Sequence, residues 1–397
     1  MIEVQTQDIP QTVDAIIFYD DDADGHCAAY TVAHFLNNKR TTEEKAENPL
    51  NVCFQVRDRT KAEMDHVSII KAVDANQIFF VDYTPEDLNG ISELLEKGTL
   101  HADRVQIFDH HPSATAIYKK LTHRGKVNLM LGAEVSASEL AWFAMQMEEL
   151  FENPAGMFDE FNKDDLAIYT DLTTGMDKET FVEKYSAEEY GRCCVDILYD
   201  ECQDVKPLPI AVSLIGRYDV WDHGFSEHVV PFQYGLNIVD HDPSNVALWS
   251  TLFNAKYAEK DAEPRVIENI VGMGMTVAAY KESTDAWLMT QATERTFRAR
   301  DGKTYNVLFV NAPVGSSYVY EHHEAWATAD FSMSAYYNAD GDLKVSMRKP
   351  TENSSGVDLS ALAQVYGGGG HKNAAGFVVK KSHNVTPSVF LHEQLGL

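Results

Sequence analysis

Positive charge is what this chain lacks most. Its 397 residues carry 33 Lys and Arg against 61 Asp and Glu, a formal net charge of −28. Proteins hold long nucleic acids chiefly by displacing counterions from phosphates with Lys and Arg, so a polyanion of this strength is expected to avoid long strands and duplexes. Small phosphate substrates stay open, because bound divalent cations invert the local field. Solubility, or life in a salty host, would also produce such charge. Thiols are scarce too. Cys27, Cys53, Cys193, Cys194 and Cys202 are odd in number and include no CxxC pair. That argues against a disulfide framework or a thiolate zinc site and fits a reducing cytoplasm, with the cysteines acting as small buried hydrophobes. No apolar run approaches the roughly 18 residues that cross a bilayer. The opening MIEVQTQDIP has no basic stretch followed by an apolar core, so no signal peptide is expected.

What is present is ordinary globular material, 44% hydrophobic and 24% charged, in a length that suggests two or three domains. Ala15–Tyr19, Val52–Val56, Gln77–Tyr83 and Val105–Phe108 are β-branched and aromatic runs of the kind that form strands buried on both faces. Between them Ala28, Val32, Phe35 and Leu36, and then Ile91, Leu94 and Leu95, recur at helical spacing. Strand and helix in alternation predict a doubly wound α/β domain with a parallel sheet. A helix over Ser136–Leu150, capped by its serine, a mostly helical stretch to about residue 205 and a strand over Ile210–Leu214 follow. The polar AKYAEKDAEPR segment reads as a linker leading into a helix that runs to about Lys281. Beyond it, Ala286–Thr290, Asn306–Asn311, Ala329–Tyr337, Leu343–Arg348 and Gly376–Val379 read as strands of a smaller α+β domain, interrupted by the loop Gly367–Gly370. The expected division is a catalytic domain over 1–254, a linker and connecting helix over 255–283, and a substrate-binding domain over 284–397.

Three acidic or histidine clusters stand directly after apolar strands. They are Asp20-Asp21-Asp22-Ala23-Asp24-Gly25, then Asp82, then Asp109-His110-His111. Ligands of doubly wound sheets bind beyond the carboxyl ends of the strands, so the clusters should converge on one crevice. Carboxylates crowded there repel one another, and divalent cations relieve that conflict. Hard oxygen ligands with one or two imidazoles favour Mn or Mg over Zn or Co. Two such ions about 4 Å apart suit the hydrolysis of a phosphoester. Taken singly, the acidic turn reads as a solvated loop and Asp82 as a cap for the helix after it. A His-His pair after an Asp has no comparable structural explanation.

These motifs, in this order, resemble the DHH phosphoesterase family over essentially the whole chain. Asp22-Ala23-Asp24-Gly25 is similar to its first motif, Asp82 to its second and Asp109-His110-His111 to its third. A fourth metal-binding Asp is expected further on. Asp219, in Ile215-Gly216-Arg217-Tyr218-Asp219-Val220-Trp221-Asp222, is favoured, and Asp171 in IYTDLTTG is the competitor. The resemblance implies two metals, Mn first and Mg second, with Asp22 and Asp219 on one, Asp24 and His110 on the other and Asp82 bridging. His111 would sit near the phosphate rather than ligate. Asp20 stands where many relatives carry His, and an Asp there occurs in the exonuclease branch. The segment Gly367-Gly368-Gly369-Gly370-His371-Lys372-Asn373-Ala374-Ala375-Gly376-Phe377 resembles the glycine-rich motif of the domain that accompanies DHH. Glycines expose backbone N–H groups to a phosphate. His371 and Lys372 add donors, and Arg348 at a strand end offers a bidentate guanidinium.

Within the family the length, the two-domain plan and the YDxW-like fourth motif favour the nanoRNase branch. That implies a cytoplasmic 3′–5′ exonuclease releasing nucleoside monophosphates from short oligoribonucleotides, with adenosine 3′,5′-bisphosphate as a further substrate. Neither a membrane nor a long duplex is an expected partner, and a homodimer is compatible with the sequence. The alternatives are a RecJ-like single-strand DNA exonuclease, a cyclic dinucleotide phosphodiesterase, a pyrophosphatase and a non-catalytic metal-dependent nucleotide sensor. RecJ-like activity needs a long basic, aromatic channel that is not visible here.

Overall fold

A computed structural model describes residues 2–4, 12–57, 64–147, 158–162, 206–255, 265–314, 317–349, 356–382 and 386–396, together with 178, 180 and 184. Asp171 and three of the five cysteines, Cys193, Cys194 and Cys202, lie outside the described residues, as does most of the stretch expected to be helical up to about 205. The chain divides into two units, Met1–Val277 and Ala278–Leu397. The division falls within one long helix, Val266–Met289.

The first unit is built on seven strands: β1 (Ile2–Val4), β2 (Thr12–Asp20), β3 (Leu50–Arg57), β4 (Asp74–Val81), β5 (Val105–Asp109), β6 (Val127–Ala133) and β7 (Phe158–Asn162). They lie in the order β1-β3-β2-β4-β5-β6-β7, and every neighbouring pair is parallel. Alternation along the strands explains their continuous apolar sequence. On β2, Ile16 and Phe18 enter one core with Ile78 and Phe80 of β4, while Ile17 and Tyr19 enter a second core with Phe79 and Val81. Both faces are covered, as a parallel sheet requires. This is the expected doubly wound α/β architecture. The strand order reverses at β2, which lies between β3 and β4, so the ligand crevice of such a sheet opens at the carboxyl ends of β2 and β4.

Local sequence accounts for the elements that frame that crevice. The helix Ala23–Asn38 begins at Asp22, whose carboxylate accepts from the Gly25 amide at 3.1 Å, and it buries Ala28, Val32, Phe35 and Leu36 as their spacing predicts. A Cβ at Gly25 would lie 2.3 Å from the Asp20 carbonyl oxygen, so only glycine lets the helix turn off the strand this tightly. The helix Ala137–Met147 starts from a reciprocal cap. Ser136 N–H donates to Glu139 Oε2 at 3.0 Å and Glu139 N–H to Ser136 Oγ at 3.4 Å.

Two expected strands are helical instead. Ile210–Leu214 is the first half of the helix Ile210–Asp219, entered from Pro209. Its Ala211, Val212, Leu214 and Ile215 are buried and Ile210 and Ser213 only partly so, but an apolar run of five residues is too short for periodicity to separate strand from helix. Ala286–Thr290 forms the end of the helix Val266–Met289 and the turn after it.

The second unit carries β8 (Thr293–Arg298), β9 (Thr304–Val310), β10 (Phe331–Tyr337), β11 (Leu343–Arg348), β12 (Gly369–His371) and β13 (Ala374–Val379). They form one mixed sheet in the order β12-β13-β11-β10-β9-β8, with β9 and β10 parallel and the other pairs antiparallel. The helices Leu359–Gln364 and Pro387–Leu395 contribute Leu362 and Phe390 to a core with Phe297, Phe331 and Phe377. This is the expected smaller α+β domain. Among the described residues no helix is long and apolar enough to cross a membrane.

Candidate metal centre

The three sequence clusters meet at the carboxyl ends of β2, β4 and β5. Asp20 is the last residue of β2 and is buried; the guanidinium of Arg57, its register partner on β3, lies 3.7 Å away. Asp22 caps the helix that follows. Asp24, in the first turn of that helix, is also buried and accepts from the amides of Ala137 at 2.7 Å and Ser138 at 3.1 Å. Those amides belong to the start of the Ala137–Met147 helix, whose partial positive charge suits a carboxylate. Asp82 follows β4 in the left-handed conformation, φ 64°, pinned by its N–H to the Phe108 carbonyl at 2.8 Å. It therefore does not cap a helix. The turn aims its carboxylate at His110, whose Nε2 lies 3.2 Å away.

Asp219 comes to the same place by another route. It is the last residue of the helix Ile210–Asp219 and so does not follow a strand as expected, yet its Oδ2 lies 3.1 Å from His110 Nε2. Asp222, three residues further on, lies 3.6 Å from Arg217 instead. Side-chain ligand atoms within 4.8 Å of one another form three groups: Asp20, Asp22 and Asp82; Asp82, His110 and His111; and Asp24, His110 and Asp219. Sharing Asp82 and His110 joins them into a single centre. The expected pairing set Asp219 with Asp22, whereas the geometry groups Asp219 with Asp24 and His110, and Asp22 with Asp20 and Asp82.

Electrostatics explain what such a centre needs. Burial raises the Asp82 pKa well above the usual carboxylate range, and Asp22, Asp24, Asp219 and Asp20 push it further. Both Asp82 oxygens are buried and accept no hydrogen bond, an arrangement that normally costs free energy. A hard divalent cation satisfies oxygens of this kind, so the residues fit the metal that the sequence implies. Burial lowers the His110 pKa against the pull of Asp24, leaving an imidazole that is neutral and able to ligate. His111 is different. Its ring Nδ1 lies 2.8 Å from the buried Asp109 and 4.0 Å from Asp82, and the bond to Asp109 raises its pKa. Asp109 also accepts from Thr84 at 2.7 Å and from the His111 amide at 2.9 Å. Burial alone would raise its pKa, but these bonds, those from His111 foremost, hold it below the ordinary value.

Sequence reasoning missed the support behind the centre. Arg217 is buried and binds Glu139 through Nε at 3.1 Å and through a second, short contact, and its Nη2 donates to the Glu134 carbonyl at 3.2 Å. Through this pair the helix that ends in Asp219 is tied to the helix whose first amides hold Asp24. A Glu at the third helical position with an Arg two residues before Asp219 was the available signal, but their partnership spans 78 residues.

In the second unit, the glycine-rich segment is a hairpin rather than an open loop. Gly369, Gly370 and His371 pair with Gly376, Ala375 and Ala374, and Lys372 is exposed in the turn. A Cβ at Gly368 would fall 2.1 Å from the Gly376 carbonyl oxygen, and one at Gly370 would fall 2.6 Å from that of Ala374. Close packing against β13 thus demands these glycines whether or not phosphate approaches. Arg348 on β11 and His371 on β12 both register with Ala374, on either side of it.

Residues 328–388 match the DHHA1 domain model, a span that takes in Arg348 and the glycine-rich hairpin and accords with the resemblance of that segment. None of the curated proteins compared with the chain matches it. Among solved structures the chain is similar to the exonuclease RecJ bound to manganese, at 16% identity and TM-score 0.42, over 94% of this chain and 87% of that one. It is similar also to PggH, a pGpG-specific phosphodiesterase from Vibrio, at 13% identity and TM-score 0.38, over 92% of both chains. CDC45 from Entamoeba histolytica is similar at 11% identity and TM-score 0.41, over 96% and 95%. These are distant likenesses.

Proposed function

We propose that the protein is a metal-dependent phosphoesterase of the DHH type that degrades short oligoribonucleotides from the 3′ end and releases nucleoside monophosphates. The observation that carries this reading is the Asp82 carboxylate, buried with no hydrogen bond among four further aspartates and two histidines at the sheet's switch point. Asp20, Asp22, Asp24, Asp82, His110 and Asp219 would hold two divalent cations, manganese first and magnesium second. The cations would supply Lewis acidity towards the phosphate and an activated water. The chain's own residues do the rest. Asp82 stands between the groups and fixes their spacing. Asp24, tied down by two helix amides, cannot swing away. His111, whose pKa is raised by its bond to Asp109, would donate to a phosphate oxygen. In this reading residues 1–254 carry the chemistry and residues 284–397 bind substrate, with Arg348, Gly368, Gly369, Gly370, His371 and Lys372 engaging a second phosphate or a nucleotide oxygen. The absence of a cysteine framework suits action in the cytoplasm.

The net charge of −28 supports short substrates over long ones. Adenosine 3′,5′-bisphosphate would be accepted as a small phosphoester. The test is a ladder of end-labelled RNAs from two nucleotides upward, with long single-stranded DNA, a cyclic dinucleotide and adenosine bisphosphate alongside, in manganese. Turnover should be best on the shortest RNAs and fall steeply with length. Processive digestion of long single strands at physiological salt would refute this reading in favour of a RecJ-like one, and inertness on every substrate would leave a binding protein.

A further inference from the structure

A buried polar chain runs behind the metal centre, in the core on the other face of the sheet from the Arg217–Glu139 pair. It begins at Asp87, the residue before the helix Leu88–Glu96. An aspartate in that place usually caps the helix by accepting from its first amides, which is worth about 1 kcal/mol. Asp87 makes no such bond. Its Oδ1 lies instead 2.9 Å from Nδ1 of His66, which is buried edge to face against Phe18 and Phe80. A carboxylate on one ring nitrogen sets the direction of the other. That other nitrogen, Nε2, lies 3.1 Å from the hydroxyl of Tyr83, which is also buried.

Tyr83 is where this chain meets the site. Asp82, Tyr83 and Thr84 follow β4 and reach three different parts of it. Asp82, at φ 64°, brings its carboxylate to 3.2 Å from His110 Nε2. Thr84 Oγ1 donates to Asp109 Oδ2 at 2.7 Å, and Asp109 lies 2.8 Å from His111 Nδ1. The Tyr83 ring carries the Arg57 guanidinium 4.8 Å above its centre, and Arg57 lies 3.7 Å from Asp20. Its edge meets Phe80, with ring centres 5.7 Å apart and planes at 88°. Left-handed backbone outside glycine persists where the surroundings over-determine it. A side chain anchored by its hydroxyl, its face and its edge, directly after Asp82, supplies that.

We propose that Tyr83 is a positioning residue of the metal centre, clamped by the Asp87–His66 pair so that Asp82 and Thr84 on either side of it hold their aim. One buried tyrosine then keeps three parts of the centre in register. They are the carboxylate shared by two ligand groups, the Asp109–His111 pair and, through Arg57, the carboxylate of Asp20. Partners behind the ligands of a metal act in this way, fixing ligand direction without touching the ion. The inference rests on the metal-binding part of the function proposed above and is independent of the substrate.

The experiment is calorimetric titration of the full chain with manganese, at a temperature where every variant is folded, paired with melts in EDTA. The variants are Tyr83→Phe, His66→Phe, the two combined, and His66→Gln. Tyr83→Phe keeps the ring beneath Arg57 and removes only the hydroxyl. His66→Phe keeps the aromatic packing and removes the ring nitrogens. Each should weaken manganese binding about two- to tenfold, the worth of one hydrogen bond. The double variant should be no weaker than either single one, because both cut the same link. His66→Gln, whose amide still reaches towards the Tyr83 hydroxyl, should recover part of the loss. A bond that serves only the fold would lower Tm in EDTA and leave manganese affinity at the wild-type value, and that result would overturn the clamp. So would losses that add in the double variant. The clamp and the enzyme fail separately. A wild type that binds no manganese removes both the clamp and the metal centre. One that binds manganese, responds to the variants as expected and cleaves no phosphodiester loses the function and keeps the clamp.

Discussion

Replacing Asp82 by Asn should make the metal-free protein more stable while removing its response to metal. Asn keeps the shape of Asp and tolerates left-handed backbone, so φ 64° is no obstacle as it would be for Ala. The carboxylate it removes is buried, without hydrogen bonds, and pressed by Asp22, Asp24, Asp219 and Asp20. At neutral pH the metal-free fold must either keep a proton on this carboxyl or bury its charge, and Asn removes that cost, so relief on the order of 3 kcal/mol is expected in chelator. At about 2–4 °C per kcal/mol for a unit of this size, that is a rise of roughly 6–12 °C in Tm. The sign of the pH dependence follows from the raised pKa. Folded Asp82 retains its proton where the unfolded chain has released it, so its contribution to stability falls as pH rises above the ordinary carboxylate range, and the variant should lose this part of the slope. With metal the order reverses. Cations at a hundred times Kd stabilise the wild type by about 2.7 kcal/mol. The variant, deprived of the residue shared by two of the three ligand groups, should gain little. Scanning calorimetry of both proteins in EDTA and in manganese measures all four states. A metal-free variant no more stable than wild type, with an undiminished manganese shift, would refute the argument.

Other outcomes follow from the same geometry. His34 packs against Trp142 and Phe253, and burial, with Lys206 and Lys45, pushes its pKa down to about 4. The unfolded chain takes up that proton first, so stability should fall as pH drops from about 6.5 to about 4, by ~1–2 kcal/mol after allowance for partial exposure, and denaturant titrations of His34→Phe should not show this loss. Arg217→Met leaves Glu139 buried without its partner and should cost about 3–5 kcal/mol in urea melts, most of it recovered in the double variant with Glu139→Gln. Gly25→Ala, with its Cβ 2.3 Å from a backbone oxygen, should cost about 1–3 kcal/mol and weaken manganese binding, since Asp20, Asp22 and Asp24 flank that close approach. Arg348→Ala should leave manganese affinity intact and lower turnover of a dinucleotide about ten- to a hundredfold, the loss of one charge-assisted contact; equal loss on a small activated phosphodiester would remove Arg348 from substrate binding.

The sequence by itself determined the doubly wound domain, because strands buried on both faces must be continuously apolar, and Ile16 to Tyr19 and Ile78 to Val81 are. It also determined which acidic residues converge, since strand-end clusters of a parallel sheet can only meet at one edge. Its reading of Ile210–Leu214 as a strand failed because so short an apolar run cannot distinguish the two periods. Tertiary structure alone decided the rest. Asp219 reaches His110 from a helix end, Asp24 is anchored by amides 113 and 114 residues away, and Arg217 finds Glu139 across 78. No local spacing encodes such contacts. The glycine-rich segment makes the same point. As sequence it reads as a loop open to phosphate, whereas in the fold the carbonyls of β13 occupy the space that side chains at Gly368 and Gly370 would need. Local pattern fixes which face of an element is apolar. Which partner meets the other face is set by how the elements pack.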